Sequence, residues 1–266
     1  MGALLGFYAL ALGGIIGSFL NVVIHRYPLG QSIVTPRSHC PRCNALIHWY
    51  DNLPVISFLV LRGKCRNCAL PISIRYPLVE AANALFYLAI FQRVGIDIAF
   101  IPLAAAVSMT IALIYIDLDI QILPDVIDLP GVAIGIWIGA LRLDPDETQL
   151  LLASSWIDSI LGAIVGAGVI LAIAYAYKLF RKVDGMGLGD VKMMAMIGAI
   201  VGWHATLPVL LIASLTGSIF GIALALRNRT GLQFALPFGV FLGFGTLIVM
   251  FFGNGLELWY RSILLR

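Results

Sequence analysis

Long apolar runs broken by short polar segments dominate the chain. Windows of roughly 17 to 25 mainly apolar residues give about eight candidate spans, at 3–24, 77–95, 97–116, 126–143, 157–180, 191–206, 207–227 and 234–253. None alternates with the period of two that a membrane β-barrel requires. A backbone in lipid must satisfy its own polar groups, so the runs predict helices and an all-α polytopic membrane protein. Three runs are weaker than the rest: 77–95 carries Glu80 and Asn83, 126–143 carries Asp128 and Pro130, and 191–206 is short and begins with Lys192. The run Ala3 to Ile24 lacks a basic stretch before it and a small-residue cleavage site after it, and is expected to be retained as a span.

This pattern divides the chain into a first transmembrane helix (1–24), a polar insert (25–76), a membrane bundle (77–253) and a C-terminal tail (254–266). In the tail, Leu256 to Arg266 is expected as an interfacial helix with Trp259 and Tyr260 at headgroup depth. Glycines within the spans, among them Gly13, Gly14, Gly17, Gly162, Gly166, Gly168, Gly217 and Gly221, are expected to let helices pack closely. No internal repeat is visible.

Composition agrees with a bilayer as the solvent. The 266 residues are 61% hydrophobic and 12% charged, with a mean hydropathy of +0.98, more apolar than a soluble domain can cover with polar surface. A net charge of +3 is too small to point to nucleic acid. The placement of basic residues says more. The insert holds Arg26, Arg37, Arg42, Arg62, Lys64, Arg66 and Arg75, and later loops on the same side under alternating topology hold Arg181, Lys182, Arg227 and Arg229. The other side holds Arg93, Arg142, Arg261 and Arg266. Cytoplasmic loops keep positive charge, so 25–76, 117–125, 181–190 and 228–233 are expected to face the cytoplasm, with both termini outside.

All four cysteines fall in the insert, as Cys40-Pro-Arg-Cys43 and Cys65-Arg-Asn-Cys68. Two such knuckles about twenty residues apart have the spacing of a tetrathiolate zinc site. A closed four-sulfur site leaves no position for water, so the metal would be structural. Disulfide exchange is the alternative for CxxC, but a reducing compartment favours metal. His39 reads as a neighbour of the site.

Two acids stand out at span ends. Asp117 closes an apolar run, in Ile114-Tyr-Ile-Asp117-Leu-Asp119, and Asp190 follows Gly185-Met-Gly187-Leu-Gly189. Ionisable groups at the membrane edge are costly and suggest function. The glycines Gly185, Gly187 and Gly189 would let the backbone approach a substrate strand and set Asp190 on a sharp entry into a helix. Brought together, two carboxyls share a proton; one activates water while the other hydrogen-bonds a scissile carbonyl. Asp119, Asp125, Asp128 and Asp184 read as solvated helix ends, with Asp125 also a candidate cap for the fourth span. With Asp117 they would gather at the cytoplasmic mouth and attract a basic peptide. Glu80 is either functional or paired with Arg75.

Together these residues resemble the bacterial type IV prepilin peptidases, members of the GxGD aspartyl proteases. The resemblance runs from Gly17-Ser-Phe-Leu-Asn-Val-Val through both cysteine knuckles, Asp51-Asn-Leu-Pro54, Arg75-Tyr-Pro-Leu-Val-Glu80 and Leu123-Pro-Asp125 to Gly187-Leu-Gly189-Asp190. It implies removal of a basic leader from prepilins or type II secretion pseudopilins, after a glycine, at the cytoplasmic face of the bacterial inner membrane. By the same resemblance Asp117 and Asp190 are the catalytic pair. It also implies methylation of the new N-terminus from S-adenosylmethionine, on the segment 25–76, with no residues assigned. A membrane thiol oxidoreductase and an ion-coupled transporter are the rival readings; neither uses both the cysteines and the two acids.

Overall fold

The computed structural model describes residues 2–182, 187–228 and 236–264, without the side chains of 181, 228 and 256–264. Gly185 and Asp184, and the side chains of Trp259 and Tyr260, lie outside the described residues. Among the described residues the regular structure is helical, with two isolated backbone bridges and no longer strand.

The chain forms two compact units, residues 1–100 and 101–266. Unit 1 contains α1 (Gly2–Arg26), the short α2 (Ile56–Val60) and α3 (Arg75–Val94). Unit 2 contains α4 (Phe100–Ile120), which begins at the boundary, then α5 (Asp125–Leu141), α6 (Pro145–Thr148), α7 (Trp156–Arg181), α8 (Leu188–Val201), α9 (Trp203–Asn228) and α10 (Phe238–Leu264). The backbone of α10 runs unbroken through 254–264, the stretch expected as an interfacial tail.

Every expected span overlaps a helix, and among the described residues five helices are long and apolar enough to cross a membrane: those containing α1, α4, α7, α9 and α10. The protein is a polytopic membrane protein. The remaining three, α3, α5 and α8, are the segments weakened by polar residues or shortness. α8, at 14 residues, is only about 21 Å long. The span expected at 191–206 ends earlier, at Gly202, because that residue takes φ +81° and stops the helix. The Asp158 carboxylate accepts the Trp203 N–H at 3.1 Å and starts α9 there.

In unit 1, α1 and α3 run antiparallel. The Asn21 side chain donates to the Tyr76 carbonyl at 3.1 Å, Gly17 lies against Glu80, and the Asn83 side chain donates to the Gly13 carbonyl at 2.7 Å. In unit 2 the short α8 is the core, with Met193, Met194, Met196, Ile197 and Ile200 buried among α5, α7, α9 and α10. α7 approaches it at Gly162 and Gly198, where a Cβ on either would overlap the other's carbonyl oxygen. Small residues thus replace the hydrophobic drive that lipid cannot supply. Gly168 is an exception to the expectation, since no atom stands within 4 Å of where its Cβ would be.

Candidate active site and cysteine centre

Asp117 sits in the last turn of α4 and is 4% exposed. Its carboxylate accepts the Val240 N–H at 3.0 Å and the Gly239 N–H, both in the first turn of α10. A helix N-terminus offers unsatisfied N–H groups that suit an anion. Gly239 has to be small: a Cβ there would stand 2.9 Å from the Asp117 carboxylate. Sequence reading passed over these donors, although Pro237 followed by Phe238-Gly239 marks a helix start beside a residue without a side chain.

Asp190 is the third residue of α8, whose N-cap is Gly187. Its carboxylate accepts the Gly187 N–H, the reach-back of a capping box. Asp190 thus lies in the first turn of a helix; the approach through 183–186, expected to be a sharp entry, lies outside the described residues. Gly189 has a different use: its Cβ would stand 3.0 Å from that of Leu123, so the glycine lets the Leu123-Pro124-Asp125 turn close on α8. Leu123 also reaches Gly239, 3.2 Å from where that residue's Cβ would be. Asp117, Gly239, Leu123 and Gly189 are therefore contiguous, and Asp117 is near enough to act electrostatically on Asp190.

The other acids depart from expectation. Asp128 is not a solvated helix end: it is fully buried in α5, and neither carboxylate oxygen has a hydrogen-bond partner among the described residues. Hydropathy cannot show this, because burial depends on which face of α5 meets α8. Asp125 does not cap α5; Pro124 is the N-cap, and Asp125 instead pairs with Lys192 at 2.6 Å. Among the described residues the acidic mouth comprises the exposed Asp119 and the Lys192-paired Asp125, with Asp117 and Asp128 buried. Glu80, 9% exposed, accepts the Val55 N–H at 2.8 Å and a bond from Ser18.

In unit 1 the Sγ atoms of Cys40, Cys43, Cys65 and Cys68 all lie within 4.8 Å of one another. A tetrahedron with zinc–sulfur bonds near 2.3 Å needs sulfurs about 3.8 Å apart. Cys40 and Cys68 stand at 3.9 Å, so the residues fit a zinc ion. The two knuckles are built alike. Asn44 N–H donates to Cys40 O and Cys40 N–H to Ala45 O; Ala69 and Leu70 repeat both bonds around Cys65. Bridges His39–Leu46 and Lys64–Pro71, and the positive φ of Asn44 and Ala69, repeat at the same offset. The insert thus contains a local duplication where no repeat was visible, since backbone conformation is shared more closely than side chains. The Asn67 side chain and the Ala45 N–H draw the Cys43 thiol down to about 6, whereas, against the Leu70 N–H, burial and the neighbouring thiols push Cys68 up to about 11, so the four sulfurs share protons unevenly. His39 turns its Nδ1 to the Arg37 carbonyl at 3.1 Å.

Beside the cysteines a cavity of about 610 Å³ is lined by Ser18, Asn21, His25, Arg26, His48 and Glu80, among others. That size suits a small-molecule ligand.

Comparison with known proteins follows the same division. The family described as Bacterial Peptidase A24 N-terminal domain matches residues 11–94, and the Type IV leader peptidase family matches 104–222. The chain is 35% identical to a prepilin leader peptidase/N-methyltransferase of Aeromonas salmonicida, over 94% of this chain and 91% of that protein.

The chain belongs to the type IV leader peptidase family.

Its likeness to the protein of that name from Burkholderia pseudomallei is 34%, over 93% of this chain and 85% of the relative. With that of Myxococcus xanthus the identity is 42%, over 85% of this chain, and the match spans 65% of the relative. No solved structure matches the chain.

Proposed function

We propose that this A24-family protein is a prepilin leader peptidase/N-methyltransferase, with Asp117 and Asp190 as its catalytic acids. The observation that carries the peptidase reading is the convergence of the two acids through Leu123, each tied to the N-terminus of a different helix. One carboxyl takes a proton from water as the water oxygen attacks the scissile carbonyl. The other gives its proton to the carbonyl oxygen; as the resulting diol collapses, the first carboxyl passes the water proton to the departing amine and the second recovers its own proton from a diol hydroxyl. Backbone N–H donors fix both side chains before substrate arrives, which limits reorganisation during the reaction.

The substrates are prepilins or pseudopilins with a basic leader, cleaved after a glycine at the cytoplasmic face of the inner membrane. The concentration of Arg and Lys in 25–76 supports this sidedness, which places both termini outside and the helices α1, α3–α5 and α7–α10 as eight spans. Methyl transfer from S-adenosylmethionine belongs to unit 1, supported by its cavity, with the zinc-bound cysteines holding the cavity wall. Methyl donation supplies one carbon to the amine freed by cleavage; Glu80 and His25 stand in the cavity as groups able to take the amine's proton.

The test is cleavage of a purified prepilin by Asp117→Asn and Asp190→Asn, each checked for folding and metal. Loss in both folded variants is expected. Near-native activity in either would remove that residue from the pair.

A further inference from the structure

The polar insert contains one apolar stretch, Leu53-Pro-Val-Ile-Ser-Phe-Leu-Val-Leu61, in which Ser57 is the only polar residue. Its position beside α1 can be read from the helix register. Asn21 meets Tyr76 near the start of α3, whereas Pro54 packs on Gly14: a Cβ there would stand 3.1 Å from that of Pro54. Seven residues of helix separate the two levels, so at 1.5 Å per residue Pro54 lies about 10 Å deeper along α1. α1 crosses the membrane, and its first basic residues, His25 and Arg26, come after Asn21.

We infer that residues 53–61 re-enter the bilayer beside α1 and α3, with their outer face on lipid acyl chains. The cavity of unit 1 then has a floor at membrane depth, formed in part by Glu80 and Ser18.

Lipid tolerates irregular backbone only where its polar groups are met within the protein. They are met here. Leu53 N–H donates to Ser57 Oγ at 3.0 Å, Val55 N–H to Glu80, Ser57 N–H to Leu53 O, Leu59 N–H to Val55 O and Leu61 N–H to Ser57 O. The Ser57 hydroxyl donates to the Tyr50 carbonyl at 2.9 Å, and Pro54 has no N–H to satisfy. Glu80 is thereby explained as the acceptor that lets Val55 hold its positive φ of 60° away from water.

The outer face is apolar and uncovered: Ile56, Leu59 and Val60 are 59%, 67% and 69% exposed. Its occupant is lipid by continuity with α1, which exposes Leu12, Ile15 and Phe19 alongside. The flanks suit headgroups. Trp49 and Tyr50 precede the stretch, Arg62 and Lys64 follow it, and a bidentate Arg66–Asp51 pair at 2.7 to 3.0 Å closes its neck.

The full chain, reconstituted in phosphatidylcholine and phosphatidylglycerol vesicles, can carry the photo-crosslinker p-benzoylphenylalanine at Leu59, Val60 or Val34. Val34 is 80% exposed in the same insert and serves as the control. Covalent lipid adducts are expected at 59 and 60 and not at 34; adducts at 59 and 60 no stronger than at 34 would overturn the inference. Glu80→Leu removes the acceptor for Val55 and should lower the adducts at 59 and 60 several-fold, whereas Glu80→Gln keeps an acceptor and the adducts. Equal adducts in both variants would remove Glu80 from the arrangement. No catalytic step is read, so failure here leaves the peptidase reading standing.

Discussion

Unit 1 and unit 2 rely on buried polar groups to different degrees. In unit 1, Asn21, Asn83 and Glu80 each meet a backbone partner and fasten helix to helix or loop to helix. In unit 2, close packing through Gly162, Gly198 and the methionines of α8 forms the core, and the two candidate catalytic acids lie at helix ends outside that core. Asp117 and Asp190 have backbone donors from helix starts, while Asp128 has no hydrogen-bond partner among the described residues. Polar groups that hold a structure cannot be removed without loosening it; acids placed on an independently packed scaffold can be changed while the scaffold survives.

That contrast can be broken by mutation. Asp117→Asn and Asp190→Asn should each lower cleavage by about 10² to 10⁴-fold, with the melting temperature little changed. A melting temperature that collapsed with activity would show that the acids also hold unit 2 together. With the proposed zinc in place, chelation, or Cys43→Ser with Cys68→Ser, should destabilise unit 1 first, because thiolate–zinc binding would be folding free energy there. Limited proteolysis within 25–76 should report the loosening before any loss of prepilin cleavage; unchanged proteolysis after complete chelation would argue against a structural metal.

Smaller effects sharpen the comparison. Asp128→Leu removes two unmet buried acceptors and should stabilise unit 2 by about 1–3 kcal/mol, read by thermal unfolding in detergent. Destabilisation instead would mean that the carboxyl has a partner in the native membrane. Lys192→Ala breaks an exposed ion pair with Asp125 and should cost no more than about 1 kcal/mol.

Positions of the helices were legible because lipid imposes length and apolarity on any span. The four cysteines and the aspartates at 117 and 190 were legible as candidates for a related reason: polar chemistry is conspicuous against an apolar background. Asp128 was misread because its burial depends on packing between α5 and α8, which are distant in sequence. The Asp125–Lys192 pair and the Gly239–Val240 donors were hidden likewise; 67 and 123 residues separate the partners. The duplicated knuckles escaped notice because they share backbone bonds more than side chains.

What the sequence determined by itself was the solvent of each segment, through hydropathy, and which four thiols gather in the insert as a set able to hold a metal, through cysteine spacing. Only the tertiary structure decided which acids converge, which are buried, and how deep Pro54 lies along α1. Those outcomes depend on register between helices, and register is set by close contacts at Gly13, Gly17, Gly162 and Gly198 that join residues far apart in the chain.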